Sequence, residues 1–256
     1  MPRHETLAIA VPRSLDGRGG AGGGERVIQI ERRYRGPPDS GNGGYTAGML
    51  ARALGGSDVE VTLRAPPPLE TPLRIVASGE VAELLSGEAL IATAIRKVVE
   101  MKVLNPPTLS QAKAAEPRYS GYANHAFPGC FVCGPERQPG DGMRIFPGVT
   151  GLDLDVVASS WVPDQGLGDA SGRLGIEYVW AALDCPGYFA VRQQAGVAVL
   201  GRIAATIDSL PEIGETVIVT GWGLGSDGRK HRAGTALHDC DGKLLAKAAA
   251  TWVTIG

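Results

Sequence analysis

The sequence predicts an α+β fold built twice over in one chain. Three observations carry this. The order strand, loop, short helix, then a run of antiparallel strands occupies residues 27–104 and recurs over residues 128–256. Glycine is abundant, at 37 residues, and aromatic residues make up only 5%. That balance suits a sheet-rich fold with many turns and close backbone approaches. A repeated order of elements bears on architecture more directly than any local propensity.

The elements follow from local pattern. Residues 1–26 read as a flexible N-terminal segment, mostly glycine from Asp16 through Gly24. Val27 to Tyr34 alternates apolar and polar residues in its first half, as a half-buried strand does. Gly36 to Gly44 is a loop of Gly, Pro, Asp and Asn. Tyr45 to Leu54 is a short helix that Asn42 or a neighbour caps and Gly55-Gly56 ends. Val59 to Arg64 is a strand stopped by Pro66-Pro67-Pro68. Leu73 to Leu85 is a longer strand, turned at Ser86-Gly87, and Ala89 to Met101 returns. Residues 105–127 are a linker with Pro106, Pro107 and Pro117 and no clear apolar period.

The second unit, residues 128–256, repeats the order. Met143 to Phe146 and Leu152 to Trp161 are strands, and Asp164 to Gly172 is a loop. Leu174 to Asp184 is a helix, with Ile176, Val179, Trp180 and Leu183 on one buried face. Pro186-Gly187 kinks or stops it. Val197 to Asp208, Thr216 to Leu224, Arg229 to His238 and Leu244 to Ile255 are strands. Asp241-Gly242 marks a tight hairpin between the last two.

Composition removes several classes of function. A net charge of −2 leaves no electrostatic footprint for nucleic acid. No apolar run approaches the length of a membrane span. Met1 to Gly24 has no apolar core of a signal peptide, which leads to the expectation of a cytoplasmic protein with reduced thiols. There is no nucleotide-binding loop, no Rossmann fingerprint and no Ser-His-Asp order, and the four histidines lack metal spacing. Cys130 and Cys133 form half a zinc site whose other half is absent from the sequence. The pair therefore reads as a structural loop, and no metal or cofactor is expected.

A central helix wrapped by a curved antiparallel sheet resembles the hot-dog fold. The chain resembles acyl-CoA thioesterases of the PaaI-like hot-dog superfamily, as a tandem (double) hot-dog. Cys130-Phe131-Val132-Cys133-Gly134-Pro135 and the closing GRKHRAGTALHDCDGKLLAKAAATWV carry that likeness. Asn42-Gly43-Gly44 resembles the Asn-Gly-Gly or His-Gly-Gly step that opens the central helix. The resemblance implies an acyl-CoA or related acyl thioester as substrate and a helical carboxylate as nucleophile or general base.

Thioester hydrolysis needs an oxyanion donor and a group that attacks or activates water. Gly43 and Gly44, at a helix N-terminus, offer free backbone N–H groups without a side chain in the way. Asn42 caps the helix or orients substrate. Asp184, at the C-terminal end of an apolar helix, is disfavoured by the helix dipole and by burial. A residue so awkward for stability is a functional candidate. Placing Asn42 on Gly175 matches Gly43 with Ile176 and Ala51 with Asp184. Two such units packed face to face leave one complete site, Asn42, Gly43 and Gly44 with Asp184, and one defunct site. Glu177 and Asp39 are the next acids. Arg229, Lys230, His231 and Arg232 form a basic cluster suited to coenzyme A phosphates. Met49, Trp180 and Tyr188 are candidate walls of the acyl channel.

Two other readings compete. One is a non-catalytic acyl-thioester binding protein. The other is a hot-dog hydratase or dehydratase, which pairs an Asp with a His on the helix-entry loop; neither such loop contains a His. Pairing of the double unit with a second copy is compatible with the sequence.

Overall fold

The computed structural model describes residues 24–151, 156–168 and 172–255. The glycine-rich lead-in lies outside the described residues as far as residue 23. The first unit contains β1 (Gly24–Gln29), α1 (Gly43–Ala51), β2 (Val59–Leu63), β3 (Pro72–Ser78), β4 (Val81–Ser86) and β5 (Ala89–Arg96). α2 (Leu109–Ala115) follows. The second unit contains β6 (Gly148–Val149), β7 (Val156–Trp161), α3 (Ile176–Ala182), α4 (Cys185–Ala195), β8 (Ala198–Ile207), β9 (Val217–Asp227), β10 (Lys230–His238) and β11 (Leu244–Thr254).

All the strands join one sheet, in the order β1-β3-β4-β5-β2-β8-β11-β10-β9-β7-β6. Reading outward from the middle, β2, β5, β4, β3 and β1 mirror β8, β11, β10, β9 and β7. α1 lies between β1 and β2 in the chain, and α3 and α4 lie between β7 and β8. The duplication is therefore a property of topology as well as of element order. The units join where β2 pairs antiparallel with β8, from Val59 opposite Ala205 to Thr62 opposite Arg202. Neither unit keeps a free edge there, which satisfies a row of backbone groups in each.

α1 begins where its sequence says it should. Asn42 is the N-cap, and its Oδ1 accepts from the Tyr45 amide at 2.8 Å. A short 3₁₀ turn extends the helix to Leu54, and Gly55, at φ +89°, closes it. Seven of its nine residues are buried, as expected of a helix enclosed on nearly every side.

α1 packs directly on α3, and glycine makes this approach possible. A Cβ on Gly48 would lie 2.6 Å from Glu177 Cα. One on Gly44 would lie 2.5 Å from Asp184 Cβ and 2.7 Å from the Trp180 carbonyl oxygen. Trp180 is fully buried, and its indole N–H donates to the Gly56 carbonyl at 2.8 Å, tying the units together.

Several elements differ from the sequence expectation, each for a local reason. The strand expected over Leu73 to Leu85 is two strands, reversed at Gly79, whose φ of +59° breaks the extended run. The expected linker holds α2, capped by Thr108 and Gln111 in a reciprocal capping box. Met143, Ile145 and Phe146 are buried, but the segment forms no strand. The strand expected from Leu152 begins, within the described residues, at Val156. The helix expected over Leu174 to Asp184 ends at Ala182, and a second helix starts at Cys185. Pro186 opens α4 rather than stopping α3, because proline in a first helical turn lacks only an N–H that has no intrahelical partner there.

The shared sheet and the α1–α3 contact make the halves one folding unit. A fragment of residues 24–104 exposes the β2 edge and the face of α1, and it should aggregate or melt without cooperativity. Size-exclusion chromatography and thermal unfolding of that fragment check this; a soluble monomer with a sharp transition would refute it.

Candidate active site

The α1–α3 crossing brings three of the singled-out residues together. Asp184 Oδ2 accepts from the Gly44 amide at 2.9 Å and from Asn42 Nδ2 at 3.1 Å. All of this is buried, with Asp184 only 1% exposed. Its other oxygen, Oδ1, is buried without a hydrogen-bond partner. Burial pushes the carboxyl pKa up to about 7, against the opposing pull of the Gly44 amide.

The helix dipole acts on Asp184 in the sense opposite to the sequence expectation. Asp184 follows the C-terminus of α3, but it is also the N-cap residue of α4. Its side chain does not cap α4; it reaches across to the first turn of α1. The positive end of that helix stabilises the carboxylate. Desolvation, not an unfavourable dipole, makes this acid unusual.

A cavity of about 470 Å³ lies against this group, with Asn42, Gly43 and Asp184 in its wall. Both units contribute to it: Leu63 from β2, Leu200 from β8, Tyr188 from α4 and Trp252 from β11. Most of the lining is apolar, as ligand cavities usually are. Arg64, an exposed cation at the end of β2, also lines it. Arg64 carries no sequence signal, because an isolated cation after a strand has no pattern.

At the equivalent position on the other side of the crossing, a different arrangement is found. The N-cap of α3 is Gly175, matching Asn42. Counting from the caps, Glu177 takes the place of Gly44, and Arg52 follows Ala51 as Cys185 follows Asp184. Glu177 bonds to Arg52 at 3.1 Å. An ion pair occupies the position where the first site has a glycine amide and an unpaired acid. Asp39 is exposed in a turn and does not line the cavity.

The thiols regroup in a way their spacing did not reveal. Cys185, taken from sequence as isolated, lies with Cys130 and Cys133, and all three sulfurs are within 4.8 Å of one another. All three are buried free thiols lining the cavity. Hydrogen bonding from the Cys133 and Cys185 side chains holds the Cys130 thiol well below its ordinary pKa. Burial pushes Cys133 up, and Cys185 is raised by its hydrogen bonds to the other two. His125 also lines the cavity. The histidine missing from both helix-entry loops thus enters from the segment before the second unit.

The remaining candidates fall elsewhere. None of Arg229, Lys230, His231 and Arg232 lines the cavity. His231 is 4% exposed, and its two ring nitrogens bond to Ser226 Oγ at 2.8 Å and Thr254 Oγ1 at 3.1 Å. A strand start with four basic residues looks like a cationic patch, but alternation turns the third of them, His231, inward. Trp180 is core and does not touch the cavity, since its indole is committed to Gly56. Met49 packs against the core and does not line the cavity either.

No protein-family model matches the sequence, and no curated protein matches it. Solved structures do match over nearly the whole chain. One, provisionally named a thioesterase, is from Novosphingobium aromaticivorans: 12% identity, TM-score 0.60, covering 91% of this chain and 96% of that one. The tesB protein of Mycobacterium avium subspecies paratuberculosis matches at 13% identity and TM-score 0.58, covering 94% and 96%. The dehydratase domain of a mycocerosic acid synthase-like polyketide synthase matches at 14% and 0.57, covering 91% and 92%. The chain has the double hot-dog fold.

Gly44 is the residue on which the crossing most depends. Gly44→Ala should destabilise the protein by about 1–3 kcal/mol, the usual cost of forcing a methyl into a packed core. It should also separate Asp184 from α1. Chemical denaturation of the variant beside wild type measures the first effect, and equal midpoints would refute it.

Proposed function

We propose that the cavity hydrolyses an acyl thioester, with Asp184 as its base. One observation supports this most: a buried carboxylate has one oxygen fixed by a helix N-terminus and the other unpartnered beside an apolar cavity. Unpartnered buried oxygens are uncommon because they carry a desolvation penalty. A reacting water, donating to Oδ1, supplies the missing partner.

The roles divide by atom. Gly44 is committed to Asp184 and so is not the oxyanion donor. Gly43, the first residue of α1, lines the cavity, and amides of a helix's first turn have no acceptor within the helix. Its N–H stabilises the oxyanion on the thioester carbonyl. Asn42 and the Gly44 amide hold Asp184 in place. Asp184 Oδ1 takes a proton from the attacking water, and as the tetrahedral intermediate collapses it returns that proton to the departing thiolate, giving the free acid, the thiol and the original carboxylate. The acyl chain occupies the apolar space between Leu63, Leu200 and Trp252. Arg64 at the rim meets the phosphates of a coenzyme A carrier, in place of the 229–232 cluster.

The match to a dehydratase domain and the presence of His125 in the cavity favour hydration of an enoyl thioester as a second reading. His125 is held away from that role. Its Nδ1 accepts from the Phe127 amide at 3.0 Å, and its Nε2 lies 3.3 Å from Cys133 Sγ.

Thiol release from a panel of acyl-CoAs tests the proposal. Asp184→Asn should lower kcat by about 10²–10⁴-fold, the range for loss of a general base, with circular dichroism unchanged. Activity retained in the variant would move the chemistry to another residue. Binding without turnover in wild type would make this a binding protein, and water addition to an enoyl-CoA would establish the hydratase reading.

A further inference from the structure

We propose that Cys130, Cys133 and Cys185 bind a zinc ion beside the cavity. The inference does not rest on thioester hydrolysis. Three thiols from two separate segments converge, and an odd number cannot be consumed by disulfides among themselves. Cys130 Sγ and Cys185 Sγ are 3.8 Å apart. A tetrahedral site with Zn–S bonds of about 2.3 Å has sulfurs about 3.8 Å apart. The third sulfur, within 4.8 Å of both, needs only a small side-chain rotation to close the triangle.

The backbone around Cys130 has the form of a metal-binding turn. The turn carries the backbone N–H groups of Val132 and Cys133 toward the Cys130 sulfur. The Gly134 amide closes the turn on the Cys130 carbonyl at 2.9 Å. A Cβ on Gly134 would lie 2.4 Å from the Pro128 oxygen and 2.5 Å from the Cys130 oxygen. Only glycine fits, so the turn is fixed independently of any ion. Such amides stabilise thiolate charge, which a divalent cation needs.

Side chains outside the turn supply further donors. Asn42 Nδ2, besides its bond to Asp184, approaches Cys130 Sγ at 3.8 Å and Cys185 Sγ at 3.9 Å. His125 is a supporting donor rather than a fourth ligand. Because its Nδ1 accepts from the Phe127 amide, Nε2 carries the hydrogen and donates to Cys133 Sγ. The fourth position faces the cavity, where water or a substrate atom completes the tetrahedron. Binding releases the thiol protons to solvent and leaves a centre of net charge −1, which the Asn42 and His125 N–H groups offset. The ion ties the loop before the second unit to the start of α4, one residue from Asp184.

Elemental analysis of the full-length protein from zinc-supplemented culture tests this, with thiol titration and cobalt(II) reconstitution. About one zinc per chain is expected, with three thiols protected until a chelator is added. Cobalt should give thiolate charge-transfer bands of tetrahedral character. Cys133→Ser should lose the stoichiometric ion, and Cys240→Ser, outside the cluster, should keep it. His125→Ala should weaken zinc by about 10–100-fold, as loss of an outer partner does, yet retain the cobalt bands. Wild-type protein that holds no zinc, gives no cobalt bands and titrates all its thiols would overturn the proposal, as would a Cys130–Cys185 disulfide. These readouts are independent of catalytic activity, so an inactive but zinc-loaded protein would count against the thioesterase reading alone.

Discussion

The hydrogen bond from the Gly44 amide to Asp184 exists because two helices approach to backbone contact. Gly44 and Gly48, one turn apart on α1, present no side chain to α3, so Trp180, Glu177 and Asp184 can press against the α1 backbone. The rest of the arrangement depends on this contact. It brings the first turn of α1 to a carboxylate from the other unit, and it sets the walls of the cavity on either side. A sheet continuous through β2 and β8 fixes the distance between the units, and Trp180 bonded to Gly56 keeps the helices from sliding.

Duplication would give two such contacts, and the chain uses its two positions differently. Where the first has a glycine amide and an acid with one free oxygen, the second has the Arg52–Glu177 pair. Glu177 is 8% exposed, and one of its oxygens also lacks a partner. A half-exposed arginine offsets its charge, and a partly buried pair of this kind adds little net stability. The second position is thus an ion pair on the wall of a separate cavity of about 410 Å³, while the acid at the first has no cationic partner. Two units in one chain can differ at these positions, which a symmetric pair of identical chains cannot do.

Much of this was legible in the sequence where local physics decides the outcome. Asn42 reads as a helix cap because a short polar side chain before an apolar run satisfies an orphan amide, and Gly55 reads as a stop. The pairing of Asn42 with Gly175 follows from aligning the two helix starts, and the caps of α1 and α3 fall on those residues. What stayed hidden depends on contacts distant in sequence. Cys185 is 52 residues from Cys133, so no spacing rule connects them. His231 has the neighbours of a surface cation, and only strand alternation buries it. The Gly44–Gly48 pair was visible as spacing, but its meaning required knowing that another helix lay against it. The break after Leu183 was misread because proline ends one helix and begins another with equal ease.

Asp184 and the three thiols together pose a question of charge. A buried carboxylate beside buried thiols is a poor choice for stability alone, since each ionised form lacks water. Several donors nearby are aimed at these groups: the Gly44 amide and Asn42 at Asp184, Asn42 at Cys130, and His125 at Cys133. Asn42 serves both clusters, with one amide hydrogen toward the carboxylate and the other toward sulfur. Its side-chain oxygen caps α1 at the same time. One residue therefore touches the helix N-terminus, the acid and the thiols. Such a concentration of donors around anionic groups is what a site needs if negative charge resides there in the working protein.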